Sequence, residues 1–127
     1  MRVAAVMADL LLYSRIEAVA TAAGASLLRV DSPADLPADD QFDLILVDWA
    51  SRQPDWADGL RGATAARVIL FGPHTDLEAH AAARTAGLGP VWARSKLVSE
   101  LPSLVYGTAP IGTSRLRKFL DRPGPEY

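Results

Sequence analysis

The sequence predicts an α/β domain in which a parallel sheet lies between helices. Three observations predict it. Five short apolar runs recur along the chain: Val3–Val6, Ser26–Val30, Leu44–Val47, Arg67–Phe71 and Val91–Ala93. Between them lie segments with helical spacing, and a strand–helix–strand alternation implies right-handed crossovers and parallel strands. The run Leu44-Ile45-Leu46-Val47 is continuous rather than alternating, as expected of a strand buried on both faces. It is closed by the carboxylate of Asp48, which therefore falls at a strand's carboxyl end, where ligands and chemistry gather in open α/β sheets.

Size and composition agree with this class. A chain of 127 residues fits one domain and buries a real core. Half the residues are apolar and 22% are charged, which favours folding over disorder. Lys plus Arg is 13 and Asp plus Glu is 15, for a net charge of −2, so the basic excess of a nucleic-acid or anionic-membrane binder is missing. The absence of cysteine excludes a disulfide scaffold, a thiolate metal site and a cysteine nucleophile. No apolar stretch reaches the ~18 residues of a membrane span. The first apolar run is too soon interrupted by Asp9 and Arg15 for a signal peptide. A cytoplasmic location is the default expectation.

Taken in order, Val3–Val6 is the first strand. Asp9 is placed to cap a helix over Leu10–Ala23, whose Leu12, Ile16, Val19, Ala20 and Ala23 share one face. Gly24 suits the left-handed residue that ends it. Ser26–Val30 is the second strand. Asp31–Gln41 allows one or two helical turns, started by Ser32-Pro33. After the central strand, Asp55–Arg61 predicts a short helix with Trp56 and Leu60 inward. Arg67–Phe71 is the fourth strand. Thr75-Asp76-Leu77-Glu78 has the form of a capping box for a helix running to about Ala86 and stopped by Gly87. Val91–Ala93 is the fifth strand. Ser95 is then the expected cap of a helix Lys96–Tyr106, kinked or restarted at Pro102. Residues 107–127 are punctuated by Gly and Pro and form a tail after a domain of residues 1–106. The tail contains a candidate short amphipathic helix at 113–121. Its Arg115, Arg117 and Lys118 are read as a solvated face or a docking patch.

The segment Phe42-Asp43-Leu44-Ile45-Leu46-Val47-Asp48 resembles the part of response-regulator receiver domains that ends in the phosphate-accepting aspartate. Ala86-Gly87 is similar to the Ala-Gly pair before the receiver's last strand. The resemblance covers about residues 2–106. It implies a flavodoxin-like (βα)5 doubly wound sheet with strand order 2-1-3-4-5. The departures point to an atypical, or pseudo-, receiver. Receivers carry two acids directly after the first strand to hold Mg²⁺, where this chain has Met7 and Ala8 and only then Asp9. Receivers end the fourth strand in Ser or Thr, where this chain has Phe71-Gly72, with Thr75 nearby. Receivers follow the fifth strand with Lys-Pro, where this chain has Arg94-Ser95, with Lys96 beyond.

The residues expected to line the site are therefore Asp48 in the phosphoacceptor position, with Asp9, His74, Thr75, Arg94 and Ser95 around it. Asp9 and Asp48 are the two carboxylates that could offer oxygens to Mg²⁺. Asp9 serves more readily as a helix cap than as a metal ligand. Asp48 would otherwise bond the amides of the following loop, or Arg94. A pairing of Arg94 with Asp48 or Asp9 would place a fixed cation where Mg²⁺ or lysine would otherwise balance charge. Trp49 and Trp92 are expected in the core or at its rim.

Three functions compete. The first is a stand-alone receiver-like signalling or protein-interaction domain, without catalysis. It would work through a protein partner or a C2 homodimer on the face built by the helix after Thr75, the fifth strand and the last helix. Leu77, Val91, Leu97 and Leu101 are the apolar residues expected there. The second is a single-domain response regulator phosphorylated at Asp48. The third is a small-ligand-binding domain on the same sheet. Against the third, the first strand is followed by Met7-Ala8-Asp9-Leu10 rather than Gly-x-Gly-x-x-Gly. No Gly-x-x-x-x-Gly-Lys, Gly-x-Ser-x-Gly or flavodoxin-type Ser/Thr-rich phosphate loop occurs either.

Overall fold

A computed structural model describes residues 1–37, 41–62 and 66–106. The tail 107–127, with the helix expected at 113–121, lies outside the described residues. The order of elements is β1 Arg2–Val6, α1 Leu10–Ala22, β2 Ser26–Val30, β3 Leu44–Asp48, α2 Trp56–Arg61, β4 Arg67–Phe71, α3 Leu77–Ala86, β5 Val91–Trp92 and α4 Arg94–Tyr106. Short 3₁₀ turns at Pro33–Asp35 and Trp49–Ser51 follow β2 and β3. The protein is α/β. Among the described residues its sheet has five strands, all parallel, in the order β2-β1-β3-β4-β5. The central position of β3 is what its unbroken apolar run requires, and all five of its residues are buried.

The pleat divides the core in two, because successive side chains leave a strand on opposite faces. Val3, Ala5, Leu44, Leu46, Ile69 and Phe71 point to one face. There they meet Leu12 and Ile16 of α1 and Leu97, Leu101, Leu104 and Val105 of α4. Ala4, Val6, Ile45, Val47 and Leu70 point to the other, against Trp56 and Leu60 of α2 and Ala79 and Ala83 of α3. Gly24, just past the Ala23 cap of α1, has φ 80° and Gly87, the cap of α3, has φ 72°, a conformation glycine adopts without Cβ strain.

Several elements differ in detail from the sequence reading, each for a visible reason. Asp76, not Thr75, caps α3, since its Oδ1 accepts the Ala79 amide at 3.0 Å. Ser95 does not cap the last helix. The Leu97 amide already donates to the Ala93 carbonyl at 3.0 Å, so the helix begins two residues earlier and Ser95 lies in its first turn. Helix α4 also runs unbroken through Pro102. The proline faces solvent while Leu101, Leu104 and Val105 beside it are buried, so packing against the sheet holds the turn that lacks one amide. The apolar face expected to take a partner is largely core. Val91, Leu97 and Leu101 are buried, and of that set only Leu77 is exposed. Leu97, Leu101 and Leu104 recur at the spacing of a sheet-facing stripe, so they cannot also face outward.

Candidate functional site

Parallel strands aim their carboxyl ends at one edge, so Met7, Asp48, Gly72 and Ala93 bring their following loops together there. The Met7 carbonyl is held from the side. Arg29 of β2, paired with Ala5, donates from Nη1 to it at 3.0 Å and also meets Asp31 at 2.9 Å. Two residues on, Asp9 turns the chain into α1. Its Oδ1 accepts the amides of Leu11 and Leu12 at 3.1 and 3.2 Å, an N-cap that satisfies two of the helix's orphan donors. Its Oδ2 lies 3.4 Å from Nη1 of Arg94, the first residue of α4. This exposed ion pair bridges the starts of the two helices on the same face of the sheet.

Asp48 is the buried charge of the site. It is 4% exposed, and among the described residues it is the one polar or charged residue that is buried. Its Oδ2 accepts from the hydroxyl of Ser51 at 3.1 Å. Its Oδ1 is buried without a partner. The side chain makes no hydrogen bond to the amides of the following turn, and Arg94 reaches Asp9 rather than Asp48. A buried carboxylate with one neutral donor is poorly compensated.

The next residue, Trp49, anchors this turn. Its indole Nε1 donates to the Ala79 carbonyl of α3 at 2.9 Å, and the Arg52 guanidinium lies 5.5 Å from its ring centre. Trp49 is 2% exposed and belongs to the core, while Trp92 is half-buried beneath the ammonium of Lys96, 4.6 Å from the ring centre.

The remaining expected residues do not join Asp48. His74 and Thr75 are exposed in the loop before α3, and Ser95 is exposed on α4. No hydrogen bond or ion pair links any of them to Asp48 among the described residues. The sequence reading missed two polar contacts of this edge. Ser51 is three residues after Asp48, a spacing at which a turn returns a hydroxyl to the carboxylate. Arg29 is a cation inside a strand, and such a side chain must find an acceptor at the strand's end.

These groups do not fit the Mg²⁺ that a receiver would hold. A hard divalent cation wants near-octahedral oxygens, with one or two carboxylates free to turn toward it. Asp9 has one oxygen on two amides and the other on a guanidinium. Met7 and Ala8 offer no side-chain oxygen. Among the described residues no group of three His, Asp or Glu side chains is arranged to hold a metal. None of the described helices is long and apolar enough to cross a membrane. No protein-family model and no curated protein matches the chain.

Proposed function

We propose that this chain is an atypical receiver-like module with a flavodoxin-like fold that acts by binding other proteins and not by Mg²⁺-dependent phosphoryl transfer. The observation that carries the reading is the Asp9–Arg94 pair. It ties up the one acid near the position of the metal-binding pair and puts a permanent guanidinium where a switchable cation would work. A carboxylate attacking a phosphoryl group needs its charge and that of the phosphoryl oxygens neutralised as the bond forms. Asp48 has a single hydroxyl for this and is closed off from solvent. The strand order and the aspartate ending β3 support the receiver comparison; the rearranged polar contacts argue for a fixed state.

Incubating the protein with a small-molecule phosphoryl donor and Mg²⁺, then measuring intact mass, tests the proposal. The expected mass is unchanged. A one-phosphate gain that disappears in Asp48→Asn would overturn it and favour the phosphorylated regulator.

A further inference from the structure

Among the described residues the sheet ends at β2, which pairs with β1 on one side and with no strand on the other. The Ser26 amide donates to the Met1 carbonyl at 3.0 Å, and the Val30 carbonyl accepts the Met7 amide at 3.1 Å. Backbone groups of successive strand residues point to opposite edges. Ser26, Leu28 and Val30 therefore bond β1, while Leu27 and Arg29 turn their amides and carbonyls outward. These outward groups have no hydrogen-bond partner among the described residues. The devices that usually blunt a sheet edge are missing here. The strand holds no proline. Its one charged side chain, Arg29, is drawn to the Met7 carbonyl and Asp31 at the strand's carboxyl end. The described chain that follows turns away from the edge, with Pro33 close against Gly59 of α2.

We propose that β2 pairs antiparallel with β2 of a second copy, across a two-fold axis at Leu28, and joins the two sheets edge to edge. A two-fold axis makes such neighbours antiparallel, and outward groups must then face outward groups. An axis at Leu27 would set Arg29 opposite Ala25, whose amide already donates to the Ala20 carbonyl at 2.9 Å. An axis at Arg29 would set that residue opposite itself, like charge against like charge. The axis at Leu28 sets Leu27 of each copy opposite Arg29 of the other, and every outward amide meets an outward carbonyl. Leu28 then faces its own counterpart as a non-hydrogen-bonded pair, with Cα atoms about 4.5 Å apart. Apolar surface fits the same partner. Leu27 packs on the α1 side of the sheet and Leu28 on the α2 side, both half-buried, so a further strand covers each. A contact built on one short strand is smaller than the roughly 1,200 Å² of stable interfaces, so the dimer forms at high protein concentration. The edge lies two strands from β3, so the inference is independent of the chemistry at Asp48.

The chain has no cysteine, so a single introduced thiol reports on the axis. Under mild oxidation the full chain carrying Leu28→Cys should form a disulfide-linked dimer. Ser26→Cys, at a more exposed position, should not, because the two thiols would stand about 14 Å apart along the strands, beyond disulfide reach. Light scattering on the unmodified chain should show a mass that rises with concentration. Leu27→Pro removes an outward amide and no bond within the sheet, so it should move that rise to at least about tenfold higher concentration with circular dichroism unchanged. If Leu27→Pro does not fold, the two cysteine variants decide. A monomer even at about 1 mM, crosslinking of Ser26→Cys as fast as Leu28→Cys, or a mass unmoved by Leu27→Pro would each overturn the inference.

Discussion

Replacing Asp48 with Asn removes the charge and keeps the shape. The reasoning about the site rests on how poorly that carboxylate is compensated. In the parent, one oxygen accepts from Ser51 and the other has no partner at 4% exposure. A buried charge left short of partners opposes folding by several kcal/mol, and a charged hydrogen bond returns about 1.5–3 kcal/mol. In Asp48→Asn the amide oxygen can keep the Ser51 hydroxyl, and a neutral amide replaces the uncompensated charge. The expected net effect is a stabilisation of about 1–2 kcal/mol, or about 4–8 °C in Tm for a chain of this size. Ser51→Ala should act oppositely in the parent, costing about 1–2 kcal/mol because both oxygens then lack a donor. Introduced together with Asp48→Asn, its cost should fall by half or more, a coupling that a double-mutant cycle isolates. Urea unfolding of the four proteins at neutral pH, with and without Mg²⁺, supplies the numbers. The reasoning is refuted if Asp48→Asn destabilises by more than about 1 kcal/mol, since the carboxylate would then be held by an attraction absent from this account. It is equally refuted if Mg²⁺ stabilises the parent and not the Asp48→Asn variant.

Ile16 is fully buried between α1 and the sheet, so Ile16→Ala should lower stability by about 3 kcal/mol, seen as a lower urea midpoint with an unchanged slope. Pro102 faces solvent inside α4, so Pro102→Ala should restore one helix bond and raise stability by about 1–2 kcal/mol; a loss would mean that the proline ring is packed. Tyr13 titrates above 10.0, first because burial disfavours the phenolate, then because of Glu17, with Arg29 opposing. The fold thus favours the neutral phenol, and this contribution is whole below 10.0 and lost as pH rises through the higher folded value. In a phenolate-absorbance titration of the folded protein, Tyr13→Phe should remove a transition lying above that pH.

The elements legible in the sequence were those set by one-dimensional pattern, and the illegible ones depended on reach in space. Leu44–Val47 had to be a central strand because no other position buries both faces of a pleat. Asp9 had to cap, because the apolar face beginning at Leu12 fixes where α1 starts and an aspartate three residues earlier meets its amides. The same periodicity in Leu97, Leu101 and Leu104 marks a buried stripe; assigning Leu97 and Leu101 to an outer dimer face borrowed from the receiver comparison against that pattern. The site's polar contacts obey no such period. Whether Arg94 meets Asp9 or Asp48 is decided by which helix start lies closer. A shift of the last helix by two residues, from Lys96 to Arg94, moves that guanidinium from a connecting loop into the first turn of α4. There its reach extends across to the start of α1, which lies on the same face of the sheet, and not inward over β3. Arg94 is thus spent on Asp9, while Asp48 keeps the Ser51 hydroxyl on one oxygen and has no partner for the other.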